Sequence, residues 1–314
     1  MSPQTGTGKY ERLLDRCRNF APVPTAVVHP CEQSALAGAI EAAGRGLIEP
    51  LYVGPAARIK ALASASGLLL DEAQIIDAPH SRAAAQTAVG LVRSGRAELL
   101  MKGSLHTDEL LAEVVARDSG LRTGRRISHA FIMDVPTYHK ILIVTDAAIN
   151  IAPSLEDKVD ICQNAVDLAR SFGLEHPKVA VLAAVETVNS KMSATLDAAA
   201  LCKMADRRQI TGALLDGPLA FDNAISKEAA RSKGIDSEVA GDPDILLAPD
   251  LEAGNILAKL LSFLAKADGA GIVLGARVPI ILTSRADGIR ARIASCAVAV
   301  LASRARRMSA NGAN

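Results

Sequence analysis

Apolar positions along the chain follow two alternating patterns. Short runs rich in Val, Ile and Leu, bounded by Gly, Pro, Asp or Asn, occur at residues 25–28, 50–53, 98–101, 130–135, 141–145, 178–183, 212–216, 245–248, 272–274 and 280–283. Their length and β-branched content predict strands. Between them lie Ala- and Leu-rich segments with charge at helical spacing, predicting helices at 32–43, 82–93, 108–117, 155–172, 193–204, 226–233, 252–266 and 287–302. Alternation of this kind specifies an α/β fold. Several strands are apolar on both faces, which places them in mostly parallel sheets covered by helices.

Local signals sharpen the picture. Ser154, after Pro153 and three positions before Asp157, forms a capping box in which the hydroxyl accepts a free amide and the acid complements the helix dipole. The first nine residues and the last eight, ending MSANGAN, read as loose tails. At 314 residues, two domains of about 150 residues are the better prior. The expected division is 1–138 plus 277–314 against 139–276, with a cleft between them as the natural place for a site. No internal repeat is visible.

Composition then removes several classes of function. The chain is 49% apolar, 22% charged and 3% aromatic, with 35 Lys+Arg against 34 Asp+Glu. A net charge of +1 and so few aromatic rings disfavour nucleic-acid binding. Cys17, Cys31, Cys162, Cys202 and Cys296 are scattered and odd in number, without CxxC spacing, which fits reduced thiols and a cytoplasmic home. No apolar run reaches the length of a membrane span or a signal h-region, so no membrane partner is expected.

Strand ends that lead into helix N-termini are where ligand chemistry is expected, because free amides and the helix dipole favour anions there. In PIILTSRADGIRARIASCAVAV, Ser284 and Arg285 sit at such a turn, with Ile289, Ile293, Cys296 and Val300 on one face of the helix beyond. A guanidinium there binds phosphate bidentately and a hydroxyl stabilises an oxyanion. The same spacing of Ser284 and Asp287 also suits a capping box, and Arg285 suits a surface ion pair. In LLMKGSLHTDELL, Gly103 admits a ligand to the backbone and Lys102, Ser104 and Thr107 can donate to phosphate, although Thr107 equally suits an N-cap and Lys102 a solvated position. VTDAAINIAP and LLDGPLAFDNA each carry an apolar strand ending in an acid, Asp146 with Asn150 and Asp216 with Asp222 and Asn223; turn formation is the competing explanation. The six His show no HExxH or paired spacing, and GxxxxGK[ST], GxGxxG and GxSxG are absent. Metal sites, triphosphate loops, ordinary dinucleotide sites and serine hydrolysis lose support.

Taken in order, MKGSLHT, DAAINIAP, PKVAVLAAVETVNSKM, DGPLAFDNA, SEVAGDPDILLAPDLEAGN and PIILTSRAD resemble the phosphotransacetylase and phosphotransbutyrylase family over about residues 98–300. IAPSLEDK and ETVNSKM look closer to its butyryl branch. The resemblance implies reversible transfer of a short acyl group between coenzyme A and phosphate. It also implies two α/β domains like those of isocitrate and isopropylmalate dehydrogenases, a homodimer, and no metal or redox cofactor. It assigns catalysis to Ser284 and Arg285. The family's nearby Asp falls on Ala291, leaving Asp287 as the nearest carboxylate. Lys102, Gly103, Ser104, Thr107, Asp146, Asn150, Asp216 and Asn255 are the expected substrate-binding residues. Two other functions stay open: a related-fold nicotinamide-dependent hydroxy-acid dehydrogenase, and a non-catalytic coenzyme A or acyl phosphate sensor that lost its base.

Overall fold

The computed structural model describes residues 8–283 and 287–311. The chain forms two compact units. An outer unit contains Tyr10–Arg125 and the described residues from Ala270 onward; a central unit contains Arg126–Gly269 together with Lys9.

The outer unit begins with helix α1 (Lys9–Cys17) and strand β1 (Val23–Val28). It continues through α2 (Gln33–Gly44), β2 (Ile48–Gly54), α3 (Ala56–Ala65), β3 (Ile75–Asp77), α4 (Ser81–Arg93), β4 (Leu99–Lys102) and α5 (Thr107–Val115). The central unit contributes β5 (Ser128–Asp134), β6 (Leu142–Thr145), α6 (Leu155–Ser171), β7 (Lys178–Leu182), α7 (Ser193–Asp206), β8 (Leu214–Leu219), α8 (Phe221–Ile225), α9 (Lys227–Ser232), β9 (Ile245–Leu247) and α10 (Leu251–Phe263). The chain returns to the outer unit within β10 (Asp268–Leu274), followed by β11 (Ile280–Ile281) and α11 (Ile289–Asn311).

In the outer unit the strand order is β3-β2-β1-β4-β11-β10, parallel except for the β10–β11 pair. In the central unit it is β5-β6-β9-β7-β8, parallel except for β5–β6. Burial explains the sequence pattern. All four residues of β4 and of β6 are buried, as expected of strands covered on both faces. The covering helices use small residues: α2 buries Ala35, Leu36, Gly38, Ala39 and Ala42. The central core joins Met133, Val144, Ala180, Leu219, Leu246 and Leu261.

Every strand and helix expected from the pattern is present, and the corrections lie at its margins. Strand β3 and helices α1, α3 and α8 were not anticipated. Lys9, expected in a loose tail, is 2% exposed; its ammonium pairs with Asp134 at 3.0 Å and donates to Val135 O and Tyr138 O. The C-terminal helix begins at Ile289 rather than 287 and runs through Asn311, into the stretch read as a tail. Ile293, Cys296 and Val300 face the core as expected, whereas Ile289 is exposed. The capping box is as expected, with Asp157 N donating to Ser154 Oγ at 3.2 Å and Ser154 N to Asp157 Oδ2 at 3.1 Å.

Candidate functional site

Parallel strands deliver their following loops to one edge of the sheet. In the outer unit β1, β4 and β11 are neighbours, paired through Val28 with Lys102 and Met101 with Ile281. The loops leaving β4 and β11, which carry two of the candidate motifs, therefore start side by side. The loop after β4 keeps contact with the loop after β1: Gly103 N donates to Val28 O and Ser104 N to His29 O, each at 2.9 Å. A Cβ on Gly103 would stand 2.3 Å from Val28 O and 2.6 Å from His29 O, so the space a side chain needs is filled by backbone.

Ser104 extends this seam. Its hydroxyl donates to His29 O at 2.7 Å, accepts from Cys31 N at 3.0 Å and lies 3.3 Å from His29 Nδ1. His29 itself has a left-handed φ of +53°. Burial, then the Arg58 guanidinium, hold the His29 imidazole below its ordinary range. Lys102 is 7% exposed rather than solvated, and its ammonium reaches Gly103 O at 3.4 Å. Thr107 is the first residue of α5 and not its cap; the N-cap is His106, whose N donates to Glu109 Oε2 at 3.2 Å.

Ser284 and Arg285 lie outside the described residues. On either side, Thr283 is buried and Asp287 is half-buried. Arg292, which belongs to no motif of the sequence, is 3% exposed and ties three elements together. Its Nη1 donates to Thr283 Oγ1 at 2.6 Å and its Nη2 to Ser34 Oγ, at the start of α2, at 3.3 Å. Burial lowers its pKa, opposed by the Asp287 charge. Gly38 provides the room, since a Cβ there would lie 2.6 Å from Arg292 Cδ. The available signal was an Arg interrupting the apolar face of a helix just after the SRAD motif.

In the central unit Asp146 follows β6 and is 3% exposed. Its Oδ1 accepts from Ala148 N at 2.8 Å and Ile149 N at 3.0 Å. Its Oδ2 accepts from His129 N at 3.2 Å, Asn150 N at 3.3 Å and Asn150 Nδ2 at 2.5 Å. Asn150 also donates to Ile127 O and accepts from Arg126 Nε at 2.8 Å. Asn255, on α10, donates to Ala147 O at 2.9 Å. These three candidates thus converge on one turn. Asp216 does not end its strand: β8 continues through Gly217 and Pro218 to Leu219, and Asp216 Oδ1 accepts from Gly217 N at 2.8 Å. The apolar run broke at Asp216, but the ladder with β7 resumes beyond it at Leu182–Leu219.

Past the true end of β8, Asn223 is wholly buried. Its amide nitrogen donates to Glu186 Oε2 at 3.2 Å, and its Oδ1 has no hydrogen-bond partner among the described residues. Glu186 pairs in turn with Lys233 at 3.0 Å, and Lys233 with Asp222. A buried acceptor of this kind suits an N–H or O–H donor. No group of three metal-ligating side chains occurs among the described residues, and all five cysteines are free thiols. No described helix is long and apolar enough to cross a membrane.

The family model for phosphate acetyl/butaryl transferase matches residues 80–300. A phosphate acetyltransferase of Rhizobium meliloti is 62% identical over 299 residues, 95% of each chain. A phosphate butyryltransferase of Clostridium beijerinckii is 40% identical over 292 residues, 93% of this chain and 97% of that one. Among solved structures, a branched-chain phosphotransacylase from Enterococcus faecalis superposes with a TM-score of 0.77 at 29% identity, covering 90% of this chain and 99% of that one. With strand-end motifs in the expected order and a match over most of its length, the chain belongs to the phosphate acetyl/butaryl transferase family.

Proposed function

We propose that this protein is a phosphate acyltransferase that interconverts acyl-coenzyme A plus phosphate with acyl phosphate plus coenzyme A, with acetyl as the favoured acyl group. The observation that carries the proposal is the 62% identity to a phosphate acetyltransferase over 95% of both chains. The lower identity to the butyryl enzyme, 40%, favours acetyl over the butyryl preference suggested by two short motifs.

In the direction of thioester synthesis, a coenzyme A thiolate attacks the carbonyl carbon of the acyl phosphate. The carbonyl electron pair moves onto oxygen, and the tetrahedral intermediate collapses with cleavage of the carbon–oxygen bond to phosphate. Arg285 holds the phosphate, and Ser284 or a backbone amide stabilises the developing oxyanion, a donor typically worth about 3–4 kcal/mol. A thiol with a pKa of about 8.5 needs a base or a nearby cation to raise its thiolate fraction. Asp287 is the carboxylate of this chain nearest the Ser-Arg pair in sequence. Lys102, Gly103, Ser104 and Thr107 form the phosphate-side loop. Asp146, Asn150 and Asn255 act on the other substrate through the turn they hold, and Asp216, in β8, is a further substrate-binding candidate. No metal or redox cofactor enters the chemistry. The enzyme works in the reducing cytoplasm, a setting that suits its five free thiols, and as a homodimer.

The test is thiol release from acetyl- and butyryl-coenzyme A, each with and without phosphate. Release that requires phosphate, faster with the acetyl substrate, is expected. Phosphate-independent or absent release overturns the assignment, and binding without turnover favours the sensor. Arg285→Ala should lower kcat and raise the KM for phosphate while leaving the unfolding midpoint in place. Unchanged kinetics would remove Arg285 from the site.

A further inference from the structure

Strand β1 ends at Val28, and the residue after it is held in place from two sides. His29 N donates to Val53 O at 2.7 Å, while His29 O accepts from Ser104 N at 2.9 Å and from Ser104 Oγ at 2.7 Å. Together these bonds keep a non-glycine residue at a φ of +53°, a conformation that persists only where the surroundings over-determine it. The imidazole it carries is half-buried.

Ser104 also selects the tautomer of that ring. A serine hydroxyl has one hydrogen, and here it points at His29 O. The Ser104 oxygen accepts from Cys31 N at 3.0 Å, and its remaining lone pair faces His29 Nδ1 at 3.3 Å. Only a protonated Nδ1 makes a favourable contact there, so the neutral ring carries its hydrogen on Nδ1 and its lone pair on Nε2. Nε2 makes no hydrogen bond among the described residues. Burial, then the Arg58 charge, lower the ring's pKa from 6.5, with Glu109 and Glu32 opposing and His80 adding to the decrease. The ring is therefore a neutral base at pH 7.

This base stands at the strand-end edge from which the proposed phosphate-side loop leaves. Val28 pairs with Lys102 across β1 and β4, and Gly103 N donates to Val28 O at 2.9 Å. In the tetrahedral intermediate of acyl transfer the coenzyme A sulfur and the phosphate oxygen are bonded to one carbon, so a group beside the phosphate is within reach of the thiol. We propose that His29 is the general base of the reaction, with Nε2 taking the proton of the coenzyme A thiol. The S–H bond breaks and an N–H bond forms; the sulfur electron pair bonds to the carbonyl carbon, the carbon–oxygen bond to phosphate breaks, and the imidazolium returns its proton to the departing phosphate. A base titrating close to the working pH suits this step better than an ordinary carboxylate such as Asp287. The proposal rests on the acyltransferase reading and deepens it.

The experiment compares the full-length wild type, His29→Asn and His29→Gly in acetyl-coenzyme A synthesis from acetyl phosphate, across about pH 5 to 9. Both replacements tolerate a left-handed φ, and Asn keeps an N–H for Ser104. His29→Asn should lower kcat about 100-fold or more at pH 7 with an unchanged circular dichroism spectrum, and should abolish the wild-type loss of activity below pH 6.5. Added imidazole should restore His29→Gly at least tenfold, increasingly so as the imidazole becomes neutral. Long-range proton–nitrogen spectra of the wild type should show the Nδ1–H tautomer. An Nε2–H tautomer, a His29→Asn enzyme within twofold of wild type at every pH, or a loss in both variants that imidazole does not repair overturns the role of His29 and leaves the acyltransferase assignment standing. A wild type without phosphate-dependent thiol release overturns both.

Discussion

Replacing Asp146 by Asn tests whether this acid serves the fold or touches substrate directly. The change keeps shape and removes charge, yet puts an NH₂ group where only donors converge. If the amide nitrogen takes the position of Oδ2, it faces three donors: His129 N, Asn150 N and Asn150 Nδ2. If it takes the position of Oδ1, it faces Ala148 N and Ile149 N. The second orientation costs less, because Ala148 is exposed and Ile149 half-buried, so water can partly satisfy their amides. Two charge-assisted bonds at about 1.5–3 kcal/mol each, trimmed for that hydration, leave a loss of about 3 kcal/mol. In a chain of this length, with an unfolding entropy of about 2.1 cal/mol/K per residue, that lowers the thermal midpoint by about 4–5 °C. Thermal unfolding followed by circular dichroism, with activity measured well below the midpoint, checks it. The expected variant is less stable but retains turnover per folded molecule. A midpoint within about 2 °C of wild type, combined with lost turnover, would refute the structural role and make Asp146 a substrate contact.

Two further predictions concern neighbouring features. Gly103→Ala drives a methyl into the Val28 and His29 backbone, at 2.3 and 2.6 Å from their carbonyl oxygens, and should cost about 2–3 kcal/mol in urea unfolding; a neutral result would mean the β1 and β4 loops are not in contact. His129 is buried against Phe131, and desolvation holds its pKa down to about 4 from 6.5, opposed by Asp146. The unfolded chain therefore binds more protons between these values, so stability contributed by the neutral ring is complete above pH 6.5. It should fall as pH drops toward 4, by about 3 kcal/mol at most. His129→Phe should flatten that part of the stability–pH curve, and an unchanged slope would assign the acid sensitivity elsewhere.

The fold was largely legible because both-face burial leaves a mark that a single sequence retains. β4 and β6 are uninterrupted apolar runs, and the α6 cap is written in Ser154 and Asp157. What escaped lacks that mark. β3 has three residues, none of them buried, and α3 buries only Ile59 and Ala63. α1 does carry a buried series, Tyr10, Leu13 and Cys17, but charged residues dilute it. Lys9 looked like a solvated tail residue because its partner, Asp134, is remote in sequence.

The candidate site was legible in place more than in role, for a physical reason. A hydroxyl or carboxylate at a strand end satisfies the same spacing whether it serves a ligand or the neighbouring loop, and sequence does not say which donors will meet it. Ser104 meets the β1 loop, and Asp146 meets its own turn and the backbone of His129. Such commitments do not remove these residues from function; they set where backbone amides and unused side chains point. Arg292 illustrates the other half of the argument. It carries no motif, because its partner Ser34 is 258 residues away and its room comes from Gly38 on another helix. Its bonds to Thr283 and Ser34 make the placement of Thr283 a property of three elements at once. A change in α2 far from Thr283 in sequence, at Ser34 or Gly38, therefore reaches the end of the β11 segment through one guanidinium.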